Sequence, residues 1–249
     1  EYLAWIGEDE SDEETIRSAS EEALDQSENA NSPANTDSAS AKISDQPMIY
    51  PMQQLMDYDF LMKHFYNVHT STTADRELMN AKNLLSKDLT LEKEDAPQIL
   101  IYHTHSQEAF ADSVPGDVNT GIVGVGECLT KILTEQYGYR VLHNTGQYDV
   151  ETRDNAYSRA LPAVEQILAE NPSIQVIIDL HRDEVAEETK LVTDIQGRPT
   201  ARFMFFNGLS RTRKTGDIDY LANENQEANL AFSFQMQLKA AEYYPGLTR

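Results

Sequence analysis

Gln98-Ile99-Leu100-Ile101-Tyr102-His103-Thr104-His105-Ser106-Gln107-Glu108 is the stretch on which the fold turns. It opens as a short apolar run, and polar, chemistry-bearing residues follow at once. A run of that length and composition reads as a strand covered on both faces. The pattern recurs at 173–180, where Ile174, Val176, Ile177 and Ile178 read as a fully buried strand leading into Asp179-Leu180-His181-Arg182-Asp183. Between the two runs, Ile122, Val125, Leu129, Ile132 and Leu133 lie at helical spacing within 121–137, and 138–142 reads as another strand. Residues 155–170 read as a helix that Pro162 must kink or restart. Strands alternating with helices predict an α/β fold, an open and mostly parallel twisted sheet with helices on both faces.

Outward from this core, 190–195 and 200–206 flank Gln196-Gly197 and read as a β-hairpin insertion. A last helix is expected over 222–243, with Ala228, Ala231, Phe232, Gln235 and Leu238 as its stripe and Pro245-Gly246 as its stop. On the amino-terminal side, 47–96 gathers Tyr50, Leu55, Tyr58, Phe60, Leu61, Phe65 and Tyr66 ahead of a helical pattern over 75–87. This segment reads as a helical arm. Residues 1–46 carry 13 acidic side chains against Arg17 and Lys42, and no aromatic after Trp5. Such a stretch buries too little apolar surface to offset its ordering entropy, so it reads as a disordered acidic linker. The expected organisation is a linker at 1–46, an arm at 47–96 and a catalytic domain at 97–249.

A formal net charge of −22 over 249 residues argues against nucleic acid, since no basic stripe overcomes the repulsion of phosphates. Cys128 is the one cysteine, which excludes a disulfide framework and a cysteine zinc site within the chain. No run approaches the roughly 20 apolar residues of a membrane span. The sequence opens on Glu1 rather than Met, so it is read as a segment of a longer chain.

Three of the six histidines sit where strands end. Sites in open α/β sheets form beyond the carboxyl ends of the strands, so both polar groups are expected at one rim. His105-x-x-Glu108 sets an imidazole and a carboxylate where both can reach one ion, and His181 can supply a third ligand. Two histidines and a carboxylate leave an open fourth position on tetrahedral Zn2+. Zinc would bring the pKa of a bound water towards about 7 and polarise a carbonyl, which is the chemistry of amide or ester hydrolysis. His105 is preferred to His103 as ligand because it shares a turn with Glu108. His103 is expected on the opposite face, as a transition-state stabiliser, an orienting group or a structural residue. Arg182 can hold a substrate carboxylate, and Asp183 can orient a ligand imidazole, unless the two form an ordinary ion pair. His64, His69 and His143 read as structural or exposed. Gly121-x-x-Gly124-x-Gly126 has the wrong spacing for a dinucleotide, and there is no G-x-S-x-G elbow or Walker loop.

The run from Pro97 to Phe110 closely resembles a signature of the stage II sporulation protein P family, and Ile177-Ile178-Asp179-Leu180-His181-Arg182-Asp183 resembles a second one. The stretch 207–249, ending in Tyr244-Pro245-Gly246-Leu247, is also similar, so the likeness covers roughly 47–249. The resemblance implies a fold like that of zinc N-acetylmuramoyl-L-alanine amidases. It implies a peptidoglycan hydrolase that cuts stem peptides from glycan strands during sporulation and engulfment, with endopeptidase activity as an extension. The implied metal ligands are His105 (or His103), Glu108 and His181. The implied partners are peptidoglycan, a lytic transglycosylase and a membrane protein of the engulfment machinery. The implied location is outside the cytoplasmic membrane, held by an amino-terminal anchor that this chain lacks. Related amidases place a catalytic Glu on a strand beyond the point where this chain stops, which suggests a carboxy-terminal truncation. Glu184, Glu187 and Glu188 do not match that position.

Two other classes compete. One is a wall-binding or scaffold module that keeps the fold without turnover. The other is a metallocarboxypeptidase-like enzyme, which His-x-x-Glu followed by a distant His also suits. The composition of 1–46 makes one direct prediction. Deleting those residues leaves the melting temperature unchanged in differential scanning calorimetry, and a large drop would show that the segment docks.

Overall fold

The computed structural model describes residues 49–183, 185, 186 and 189–248. The acidic segment 1–46 and Glu184, Glu187 and Glu188 lie outside the described residues. The chain divides into two compact units, Thr90–Thr189 and a second built from the residues up to Leu89 together with those from Lys190 onward.

The unit Thr90–Thr189 is α/β. Strand β1 (Ile99–Tyr102) is followed by helix α1 (Ile122–Lys131), strand β2 (Val141–His143), helix α2 (Ala156–Glu170) and strand β3 (Val176–Asp179). The three strands form one parallel sheet in the order β2-β1-β3, with Ile101 opposite both His143 and Ile178, and Tyr102 opposite Asp179. β1 is central, and Leu100 and Ile101 are fully buried. Side chains alternate along a strand. Leu100 and Tyr102 face α2, packing with Val164, Ile167 and Leu168. The other face meets α1, because Gly126 of that helix lies against His103 at the end of β1 and His143 at the end of β2. A Cβ on Gly126 would come within 2.6 Å of His103 Nε2. Helices therefore cover both faces, as the sequence pattern predicts.

The details depart from the pattern in physically readable ways. β3 is not fully buried: Ile177 is 41% exposed, because among the described residues β3 pairs with β1 alone. The second strand begins at Val141, since the Gly138 and Tyr139 amides still bond back to Thr134 and Leu133. α1 continues through a π-helical turn, Ile132–Gln136. α2 neither stops nor restarts at Pro162; burial of Ala160 and Val164 on either side holds it to the sheet. The glycines at 121, 124 and 126 serve close packing. The Ile122 amide donates to the Glu108 carbonyl (2.9 Å), which ties the start of α1 to the loop after β1.

In the other unit, Gln196 (φ 53°) and Gly197 (φ 79°) turn a hairpin between β4 (Val192–Ile195) and β5 (Arg198–Ala201). Positive φ at both central residues matches the strand twist of a two-residue hairpin. The second strand of this hairpin thus lies earlier than 200–206. Helix α3 (Gln226–Tyr243) starts four residues later than the sequence reading, after a short 3-10 turn at Asp219–Leu221. It buries Leu230, Ala231 and Phe234 against Leu55, Leu61, Met79 and Leu84. Its inward stripe therefore shifts from Ala228 and Phe232 to Leu230 and Phe234. The helical pattern over 75–87 resolves into a turn and a short helix, Ala81–Ser86, whose Asn80 side chain caps the Asn83 amide. Among the described residues, no helix is long and apolar enough to cross a membrane.

Leu100 sits at the centre of the sheet with no exposed surface. Leu100→Ala is expected to lower the unfolding free energy by about 2–5 kcal/mol, through lost burial plus a residual cavity. Urea unfolding followed by circular dichroism measures this, and a loss below ~1 kcal/mol would contradict the packing described.

Candidate functional site

Parallel pairing in register carries the segments after β1 and β3 to the same edge of the sheet. After Tyr102 the chain turns sharply over 104–107. His103 therefore stays on the α1 face, while His105 and Glu108 are carried over the strand ends. The Thr104 amide and hydroxyl both donate to Asp179, at 3.0 and 2.6 Å, and lock the two rims together.

Glu108 is the hub. Its side chain is 4% exposed. One carboxylate oxygen accepts from Arg153 Nη2 at 3.0 Å. The other accepts from the Arg182 amide and lies 3.6 Å from His181 Nδ1. Burial alone pushes the Glu108 carboxyl up, but His181, the Arg182 amide and Arg153 outweigh it and hold the carboxyl below its ordinary value. The far nitrogen of His181, Nε2, is 2.9 Å from Asp179 Oδ2. The Asp179 carboxyl is likewise lowered: burial opposes, and His181 and Thr104 prevail. Between two carboxylates, His181 is raised to about 9 even though burial opposes its charge.

His105 lies beside His181, with ring centroids 5.4 Å apart. No described residue hydrogen-bonds its ring, and its buried Nδ1 stands 3.6 Å from Asp149 Oδ2. Burial, reinforced by the charges of Arg153 and His181, lowers its pKa and favours the neutral imidazole. Tyr157, from the first turn of α2, stands edge-on to His105 (5.4 Å) and nearly parallel to His181 (6.3 Å). The Tyr157 hydroxyl is raised by burial and then by the charges of Asp179 and Glu108.

His105, Glu108 and His181 form a two-imidazole, one-carboxylate set of the kind that suits zinc. Two observations support the fit. Each imidazole has a carboxylate behind one nitrogen, the outer arrangement that orients metal-binding histidines. The raised pKa of His181, set between Asp179 and Glu108, also marks a place where positive charge is stabilised. The donors are neighbours rather than a closed shell: among the described residues, no three His, Cys, Asp or Glu side chains converge in metal-holding geometry.

The family model described as "Stage II sporulation protein P (SpoIIP)" matches residues 6–249. The chain belongs to the stage II sporulation protein P family. The Bacillus subtilis (strain 168) stage II sporulation protein P is 24% identical over 168 residues, which covers 62% of this chain and 38% of that relative. The match thus spans well under half the length of that curated protein. No solved structure matches the chain.

Within this SpoIIP-family chain, the structure brings His105, Glu108, His181 and Arg182 together. It sets His103 apart: fully buried, it bonds the Leu180 carbonyl through Nδ1 (2.8 Å) and His143 through Nε2 (2.9 Å). Its pKa is lowered, chiefly by burial. Arg182 contributes its amide to Glu108; its guanidinium reaches the Asp183 carbonyl at 3.2 Å, while its buried Nε has no hydrogen-bond partner among the described residues. Asp179 rather than Asp183 stands against His181. Asp179, Asp149, Arg153 and Tyr157 escaped the sequence reading. Asp179 could have been found as a charge closing an apolar strand. Nothing local marks the other three, which arrive from the loop after β2 and the start of α2.

The raised pKa of His181 has a defined consequence for the metal-free protein. Its ion pairs contribute fully below the ordinary value of 6.5 and are lost as pH rises through about 9. Stability should therefore fall across that window, and the His181 ring proton should titrate near its upper end by NMR. In His181→Gln the fall should vanish. A ring titrating near 6.5 would show that the two carboxylates do not hold the charge.

Proposed function

We propose that this chain carries the catalytic site of a peptidoglycan hydrolase, a zinc-dependent N-acetylmuramoyl-L-alanine amidase acting during sporulation. The observation that carries the reading is the meeting of His105, Glu108 and His181 at the carboxyl edge of a parallel sheet, each imidazole backed by a carboxylate, in a chain of this family. Those three residues would hold the ion. Bound zinc would supply a water of lowered pKa and polarisation of the scissile carbonyl.

The chain's own groups do the rest. Asp179 holds His181 with Nε2 turned away from Glu108. Arg153 and the Arg182 amide fix the rotamer of Glu108. The Arg182 guanidinium, beside this site, suits a carboxylate of the stem peptide. Tyr157 covers the two imidazoles with an apolar ring and limits water on that side. In the overall reaction, water oxygen bonds to the carbonyl carbon and the bond to the alanine nitrogen breaks. Both protons of the water end on the departing amine, which leaves as an ammonium, and a carboxylate remains on the glycan. An amidase-like fold, action outside the cytoplasmic membrane through an amino-terminal anchor, and work beside a lytic transglycosylase and a membrane protein complete the proposal.

The arginines beside His-x-x-Glu give the carboxypeptidase-like reading its one specific support. Products separate the two: released stem peptides for the amidase, free carboxy-terminal amino acids for the peptidase. The first test is metal content by mass spectrometry. We expect one zinc per wild-type chain, lost in His105→Ala and His181→Ala. We also expect purified sacculi to release stem peptides with wild type and not with either variant. No zinc after reconstitution, or full retention in both variants, would overturn the assignment.

A further inference from the structure

We propose that Asp149 is the positioning residue for His105, holding its proton on Nδ1 and leaving the Nε2 lone pair as the donor that faces the site. The ligand role of Nε2 rests on the proposed function; the tautomer does not.

Asp149 lies in the loop between β2 and α2, and its side chain is 3% exposed. Its Oδ1 accepts from the Ser106 hydroxyl at 2.8 Å, and the Gln107 amide donates to both oxygens at 3.3 Å. The carboxylate is thereby fastened to the two residues that follow His105. Its Oδ2 then stands 3.6 Å from His105 Nδ1, a buried nitrogen with no hydrogen-bond partner among the described residues. That separation exceeds a hydrogen bond, so the preference is electrostatic. A lone pair on Nδ1 would face the carboxylate and be repelled; an N–H there is attracted. The neutral ring has one proton to place, and this environment places it on Nδ1.

His181 shows the same device with the nitrogens exchanged. Asp179 takes Nε2, and Nδ1 faces Glu108. Asp149, from the loop after β2, thus stands behind Nδ1 of His105, and Asp179, at the end of β3, stands behind Nε2 of His181.

The loop is also held from outside Asp149. Arg159 of α2 donates to the backbone carbonyls of Tyr148, Thr152 and Asp154 and clamps the loop on both sides of the carboxylate. Asp149→Asn keeps an oxygen for Ser106 and Gln107 but can turn an amide N–H towards His105. The substitution therefore reverses the electrostatic preference with little loss of structure.

The experiment is nitrogen-15 NMR of imidazole-labelled, metal-free protein at neutral pH, wild type beside Asp149→Asn and Ser106→Ala, with zinc titration calorimetry and melting temperatures of each. Expected are the Nδ1–H tautomer of His105 in wild type and Ser106→Ala, and a shift towards Nε2–H in Asp149→Asn. Zinc affinity should fall roughly 10–100-fold in Asp149→Asn, with the melting temperature nearly unchanged. An Nε2–H tautomer in wild type, or the same tautomer in wild type and Asp149→Asn, would overturn the proposal. So would an affinity loss that follows melting temperature without a tautomer change. Failure of wild type to bind zinc would count against the proposed function, while the tautomer comparison would still decide the role of Asp149.

Discussion

A buried carboxylate draws the edge of this sheet together. Taking the Glu108 charge out of water costs several kcal/mol unless donors replace the lost hydration. The donors come from two distant places, His181 and the Arg182 amide after β3 and Arg153 after β2. On its backbone side the same residue receives the first amide of α1. One residue thus ties the trailing segments of all three strands, through its charge, and the start of a helix, through its backbone, to a single position. Removing Glu108 would leave His181 and Arg153 without their shared anion, so its role in holding the loops cannot be separated from its role in any chemistry.

That convergence depends on register. Tyr102 pairs with Asp179, so Thr104 reaches Asp179 and His103 reaches the Leu180 carbonyl from the opposite face. A slip of one residue would exchange the faces and send Asp179 away from Thr104 and His181 away from Glu108. Close packing guards the register from the α1 side. Gly126 admits His103 and His143 so tightly that a side chain there would collide with both rings. The structural histidine pair beneath the sheet and the imidazole pair above its edge are two outcomes of one alternation.

Much of this was legible in the sequence, for identifiable reasons. Ile99-Leu100-Ile101 and Val176-Ile177-Ile178 announce parallel strands, and the polar residues that follow them belong to the carboxyl edge whatever the loops do. That is why His105, Glu108, His181 and Arg182 could be named together. Element boundaries were less legible where tertiary contacts decide them. β2 starts late because a helix ending retains its amides, and α2 runs through Pro162 because the sheet holds both flanks. The groups behind the histidines were least legible. Asp149, Arg153 and Tyr157 have no periodicity or motif of their own, and their positions follow from the fold of a loop clamped by Arg159.

The charge balance of the site explains why such a cluster persists in an acidic protein. The buried carboxylates of Asp149 and Glu108 and the half-buried one of Asp179 lie within reach of two imidazoles, and in the metal-free state a proton on His181 and the Arg153 guanidinium offset them. On the proposed reading, an arriving divalent cation takes over the task of that proton at Nδ1 of His181. Ion and proton then compete for one position, as binding at histidine ligands requires. The carboxylates that raise the affinity of His181 for a proton are also those that make its deprotonated ring a stronger donor. The site thus favours positive charge in either form, and pH and metal concentration together determine which form it holds.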